Sequence, residues 1–198
     1  MSWLNTDSTH VCSVAILADP DHCPWRAARV CYEHQIDFNY VTVDQIASLP
    51  VQYKVFLQDG DLHQVPTRID PYLFDGDAEK FIAFLRTHVH DVEVDPPAPS
   101  LRIRHVVKDG DDFYFFFNES RQPVTTEIRL PASGNIRWID METGEGTQAQ
   151  APLLIQFTGY QMKLLTVIKM RARLQSLHRW GAGRSADRPL ARRLRTTG

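Results

Sequence analysis

Little in this 198-residue chain points to a membrane, a secretory route or a nucleic-acid partner. No run of 18 apolar residues exists, so no segment reads as a transmembrane helix. The opening MSWLNTDSTH has neither a basic n-region nor an apolar h-region, so no secretory signal is expected. Cysteine is scarce: Cys12, Cys23 and Cys31 all fall near the start, without C-x-x-C spacing. An odd count of that kind argues against a disulfide framework and for reduced thiols in a cytoplasmic setting. The formal net charge is only −2, so no global field selects nucleic acid or a membrane surface. Signature loops are missing as well. Without G-x-S-x-G there is no α/β-hydrolase serine. Without G-x-x-x-x-G-K-[ST] or G-x-G-x-x-G, nucleotide binding has no motif.

What is present reads as two units. VCSVAILA (11–18) is a near-continuous apolar, β-rich run, as in a strand buried on both faces. PWRAARVCYEHQ (24–35) places Pro24 at a first-turn position and then repeats apolar residues at helical spacing. FNYVTV (38–43) and YKVFLQ (53–58) read as further strands. DAEKFIAFLRTHVH (77–90) reads as an amphipathic helix with an acidic start. Strands alternating with helices imply a small flavodoxin-like parallel sheet over residues 1–90.

THVHDVEVDPPAPS (87–100) sets two imidazoles before a proline cluster. His88 and His90 are two apart. On a continuing helix they point about 200° from each other and cannot chelate one ion together. DPPAP forbids helix and favours a stiff, extended connection, so 91–99 is expected to be a linker. From 100 to 169 the pattern becomes short alternating runs separated by Gly- and Asp-bearing turns: LRIRHVV, FYFFFN, VTTEIRL, IRWID and PLLIQFTGYQMKLLTVI. That is an antiparallel β-sandwich or half-barrel, with FYFFFN central or covering a neighbour because both its faces are apolar. From Lys169 onward the net charge is +8, against −10 for residues 1–168. The stretch 170–198 is therefore expected to be a basic, largely disordered tail.

At this level the chain resembles part of a known family. VAILADPDHCPWRAARVCYEHQIDFNYVTVDQI followed by YKVFLQDGD looks like the flavodoxin-like domain of large glycoside hydrolases of the beta-galactosidase and rhamnosidase-like type. PPAPSLRIRHVVKDGDDFYFFFNES, GNIRWIDMETGEGTQ and IQFTGYQMKLLTVI look like the β-sandwich that closes such chains. The resemblance spans about residues 11–168. It implies a C-terminal region without the catalytic TIM barrel, which needs about 250 residues. No glycosidase acid or nucleophile can therefore be carried over. Glu119 and Asp140 read as strand-end and turn residues.

The implied role is a non-catalytic, carbohydrate-associated accessory or assembly module. Trp138 and Tyr160 are candidate sugar-stacking rings. The alternative is a small stand-alone hydrolase of esters or lactones. Open parallel sheets collect ligands beyond the carboxyl ends of their strands. There the sequence sets Asp19 and His22 after the first strand and Asp59 and Asp61 after the third. Carboxylates could serve as general base or nucleophile, with His22 carrying a proton. Oxygen-rich DGD turns at 59–61 and 75–77, and DGDD at 109–112, could hold Ca²⁺, although none fits an EF-hand loop. The expected partners are a carbohydrate or a small lactone or ester, with no nucleic acid and no membrane. A homo-oligomer is compatible with the chain.

Overall fold

A computed structural model describes residues 4, 6–19, 21, 23–48, 53–60, 69–90 and 92–169. The tail expected from 170 lies outside the described residues. Among the described residues, no helix is long and apolar enough to cross a membrane.

The first unit is a four-stranded parallel sheet. Its strands are β2 (Val14–Ala18), β3 (Phe38–Thr42), β4 (Val55–Gln58) and β5 (Tyr72–Leu73), in the spatial order β3-β2-β4-β5. Among the described residues its α-helices are α1 (Trp25–Glu33) and α2 (Ala78–His88), with a 3-10 turn at Gln45–Ala47. Val14 and Ile16 face the helices and pack with Ala27, Cys31, Phe81 and Leu85. Ala15 and Leu17 point the other way, onto Val41 and Ile46. Burial on both faces is why this strand carries no polar residue until its end. Asp77 caps α2 by accepting from Lys80 N–H at 3.0 Å. At the far end of α2, the His88 Nδ1 lies 2.9 Å from the Phe84 carbonyl of its own helix.

The second unit is an antiparallel sandwich. Its larger sheet has the order β1-β7-β8-β13-β10-β11, and the smaller β12-β9-β6. The ranges are β1 Thr9–His10, β6 Glu93–Asp95, β7 Leu101–Lys108, β8 Asp111–Asn118, β9 Val124–Arg129, β10 Asn135–Ile139, β11 Gly146–Gln148, β12 Leu153–Phe157 and β13 Met162–Ile168. β8 lies between β7 and β13, the central place its two apolar faces require. Tyr114 and Phe116 turn inward, and Phe113, Phe115 and Phe117 are half-buried on the other side. Phe116 and Phe157, from the two sheets, meet at 6.2 Å between ring centres. Truncating either to Ala would cost about 3–5 kcal/mol, the scale of an emptied aromatic core site.

The two units share chain and contacts. Within the stretch expected as a linker, Glu93–Asp95 pairs with β9 as a sandwich strand. At the other end of the first unit, Thr9 and His10 pair with Val107 and Val106 of β7. Gln35 donates to the Ala98 carbonyl at 2.7 Å, and the Arg102 guanidinium lies 5.0 Å from the centre of the Tyr32 ring. The chain is thus a small parallel α/β sheet followed by an antiparallel β-sandwich.

Candidate functional site

The carboxyl edge of the parallel sheet holds the residues singled out in the sequence. β2 and β4 are hydrogen-bonded neighbours, so Asp19 and Asp59 stand beyond adjacent strand ends. His22 and Asp61 lie outside the described residues. Asp19 accepts from the Asp21 N–H at 2.9 Å, closing a local turn. Asp59 is 3% exposed, and its two oxygens are engaged differently. Oδ1 accepts from Arg26 Nε at 3.0 Å and Nη2 at 2.6 Å, and Oδ2 from the Ala27 N–H at 3.0 Å. Helix α1 begins after Pro24, which offers no capping side chain, and has no acid of its own in the first turn. Asp59 supplies both missing parts from another strand: the cap and the negative charge. Its carboxylate positions α1 as a charged strut.

Two further residues complete this edge. The Arg26 guanidinium lies 5.7 Å from the centre of the Phe74 ring. Asp75 accepts from Lys80 Nζ at 2.8 Å and from the Asp77 N–H, contacts that hold its carboxyl below the usual carboxylate range. Sequence reasoning passed over Arg26. The signal was there: a cation in the first turn of a helix opposes the dipole and calls for an anion from elsewhere.

The DG turns have a backbone explanation. Gly60, Gly76 and Gly110 all take positive φ, of 92°, 99° and 83°. Asp109 joins Gly110 at positive φ between the paired Lys108 and Asp111, which is a two-residue hairpin turn. Asp140 accepts from the Thr143 and Glu142 N–H groups, which lower its pKa. Glu119 pairs with Arg102.

The sandwich carries a second site that the sequence did not disclose. A cleft of about 990 Å³ opens among β7, β8, the 131–135 loop, Gln148 and Lys169. On its floor the buried His105 Nε2 meets Asp112 Oδ1 at 2.9 Å. Lys169 Nζ lies 2.8 Å from Asp112 Oδ2 as an ion pair, out of line for a hydrogen bond. The His105 ring stacks on Tyr114 at 4.2 Å with an interplanar angle of 15°. The pairing His105↔Tyr114 and Val107↔Asp112 makes His105 and Asp112 diagonal neighbours on one face, which brings the two side chains together. At the rim, a Cβ on Gly134 would stand 2.6 Å from the Ile168 carbonyl, so only glycine lets the loop approach β13 this closely. A buried carboxylate joined to an imidazole and an ammonium, with Ser133, Asn135 and Gln148 nearby, presents convergent donors and acceptors to a polar ligand. Of the two rings named as stacking candidates, Tyr160 is 58% exposed, whereas Trp138 packs edge-on to Phe116 at 6.0 Å.

No family model matches this chain, and no curated protein matches it. Solved structures do. A rhamnosidase from Novosphingobium sp. PP1Y is 11% identical, with a TM-score of 0.59, over 96% of this chain and 25% of its own. A beta-galactosidase from Bacillus circulans sp. alkalophilus is 11% identical, with a TM-score of 0.54, over 82% of this chain and 42% of its own. An exo-carrageenase from Bacteroides ovatus is 12% identical, with a TM-score of 0.52, over 79% and 29%. The chain spans less than half the length of each, and the likeness is one of fold: a small parallel sheet and a sandwich of the kind found within large glycoside hydrolases.

Proposed function

We propose that this chain is a non-catalytic accessory or assembly module of glycoside-hydrolase type, associated with carbohydrate. The observation that carries the reading is the rhamnosidase likeness. Nearly all of this chain corresponds to a quarter of a much larger enzyme. The chemistry of the sheet edge supports it. Asp59, the buried acid there, is held by a guanidinium and a helix N-terminus, an arrangement that serves position. The sandwich cleft is where a sugar would bind, because hydroxyl-rich ligands need several donors and acceptors converging on one concavity. Asn135, Gln148 and the half-exposed Lys169 would accept and donate to hydroxyls there, with the buried Asp112 beneath them holding Lys169.

Titration calorimetry with galactose- and rhamnose-bearing oligosaccharides tests this. The expected result is saturable binding that falls at least tenfold in Asp112→Asn and Gln148→Ala, with the fold intact by circular dichroism. Absence of binding across both sugar series would remove the carbohydrate role. The rival reading, a hydrolase of esters or lactones at the strand-end acids, predicts turnover that Asp59→Ala abolishes.

A further inference from the structure

The N-terminal segment and the loop before β3 bring three different metal-binding groups together. Among the described residues, the ligand atoms of His10, Cys12 and Asp37 all lie within 4.8 Å of one another. His10 belongs to β1, on the edge of the large sandwich sheet, and Cys12 follows two residues later along an extended stretch. Asp37 comes from the parallel-sheet unit, immediately before β3. His10 Nε2 and Asp37 Oδ2 are 2.6 Å apart. Asp37 Oδ1 accepts from the Phe38 N–H at 2.9 Å, which fixes the carboxylate so that Oδ2 addresses the imidazole. Cys12 is 2% exposed, and its thiol donates to the Val14 carbonyl at 3.1 Å.

We propose that His10, Cys12 and Asp37 form a Zn²⁺ site that clamps the sandwich edge strand to the parallel-sheet unit. One thiolate, one imidazole and one carboxylate are a borderline-soft donor set, suited to Zn²⁺ and unsuited to Ca²⁺ or Mg²⁺. Bond lengths of about 2.0–2.3 Å in a tetrahedron set ligand atoms about 3.3–3.7 Å apart. The His10–Asp37 contact therefore opens by about 1 Å on binding. On binding, the Cys12 thiol releases one proton to solvent, and the imidazole proton that Nε2 offers to Asp37 moves to Nδ1, so that Nε2 takes the metal. His10 and Asp37 are only partly buried, so the fourth position faces solvent and takes water.

Cobalt is the probe, because a thiolate bound to Co²⁺ absorbs in the near ultraviolet and a tetrahedral site gives strong visible bands. The reduced full chain is titrated with Co²⁺ and then with Zn²⁺. The expected result is both features, saturating at one equivalent and bleached by Zn²⁺. Cys12→Ser should lose the ultraviolet band, Cys23→Ser should keep it, and Asp37→Ala should bind at least tenfold more weakly. If Cys12→Ser misfolds, His10→Gln decides the matter, since it keeps the thiol and should also weaken binding tenfold. No thiolate band in excess Co²⁺, a band lost in Cys23→Ser, or unchanged affinity in His10→Gln and Asp37→Ala would overturn the proposal.

Discussion

Asp59 and Asp112 are equally buried, at 3% exposure each, yet they do different work in the two units. Asp59 faces a guanidinium and the N-terminus of α1, so one carboxylate completes a helix and joins it to a strand. Asp112 faces an imidazole and an ammonium at the floor of a cleft, and no helix depends on it. Burial alone therefore does not mark a functional acid. What marks it is whether its partners also open onto space a ligand can enter. On that criterion the sandwich, and not the parallel sheet, holds the acid whose neighbours border a cleft.

The contrast can be broken by substitution. Asp59→Ala should be the more damaging, because it orphans Arg26 and uncaps α1. A loss of about 2–4 kcal/mol is expected, below the full cost of a broken buried pair because the Arg26 side chain is half exposed. Urea denaturation would measure it, and a loss under about 0.5 kcal/mol, the scale of a neutral surface change, would show that Asp59 is not a strut. Asp112→Ala should cost about 2 kcal/mol, since His105 loses its partner while Lys169 can turn to water. A larger loss than for Asp59→Ala would reverse the assignment of roles.

Smaller effects sharpen the same picture. Asp77→Ala removes an ordinary side-chain cap from α2 and should cost about 1 kcal/mol, less than the remote cap on α1. His34, just beyond α1, has its pKa lowered from 6.5, first by burial and then by Arg86. The unfolded chain then binds more protons than the folded one as pH falls below 6.5, so stability declines there and is regained as pH rises toward 6.5. His34→Gln should flatten that slope in denaturation curves taken across the acid range. An unchanged slope would mean that another group controls it.

Much of the parallel sheet could be read from the sequence, because its signals are local. VCSVAILA shows burial on both faces, and Asp77 announces the start of α2. The acids at the sheet edge were also visible, since strand ends and Asp-Gly turns lie next to each other in the chain. Their partners were not, because Arg26 meets Asp59 only after the crossover closes. The sandwich cleft was hidden for the same reason. His105 and Asp112 meet across the β7–β8 hairpin through a diagonal register, and Lys169 arrives from the end of β13. The short strands at Thr9–His10 and Glu93–Asp95 carry too few residues to show a period of two, and their pairing comes from tertiary contacts.

The central claim, that this chain binds without catalysing, is tested most directly by a turnover assay on the purified full chain. The panel should include aryl galactosides, aryl rhamnosides, activated esters and lactones, each with added divalent metal and with chelator. The account predicts no hydrolysis above the buffer rate on any of them. Saturable turnover that is retained in Asp112→Asn and lost in Asp59→Ala would contradict it and return the chemistry to the edge of the parallel sheet.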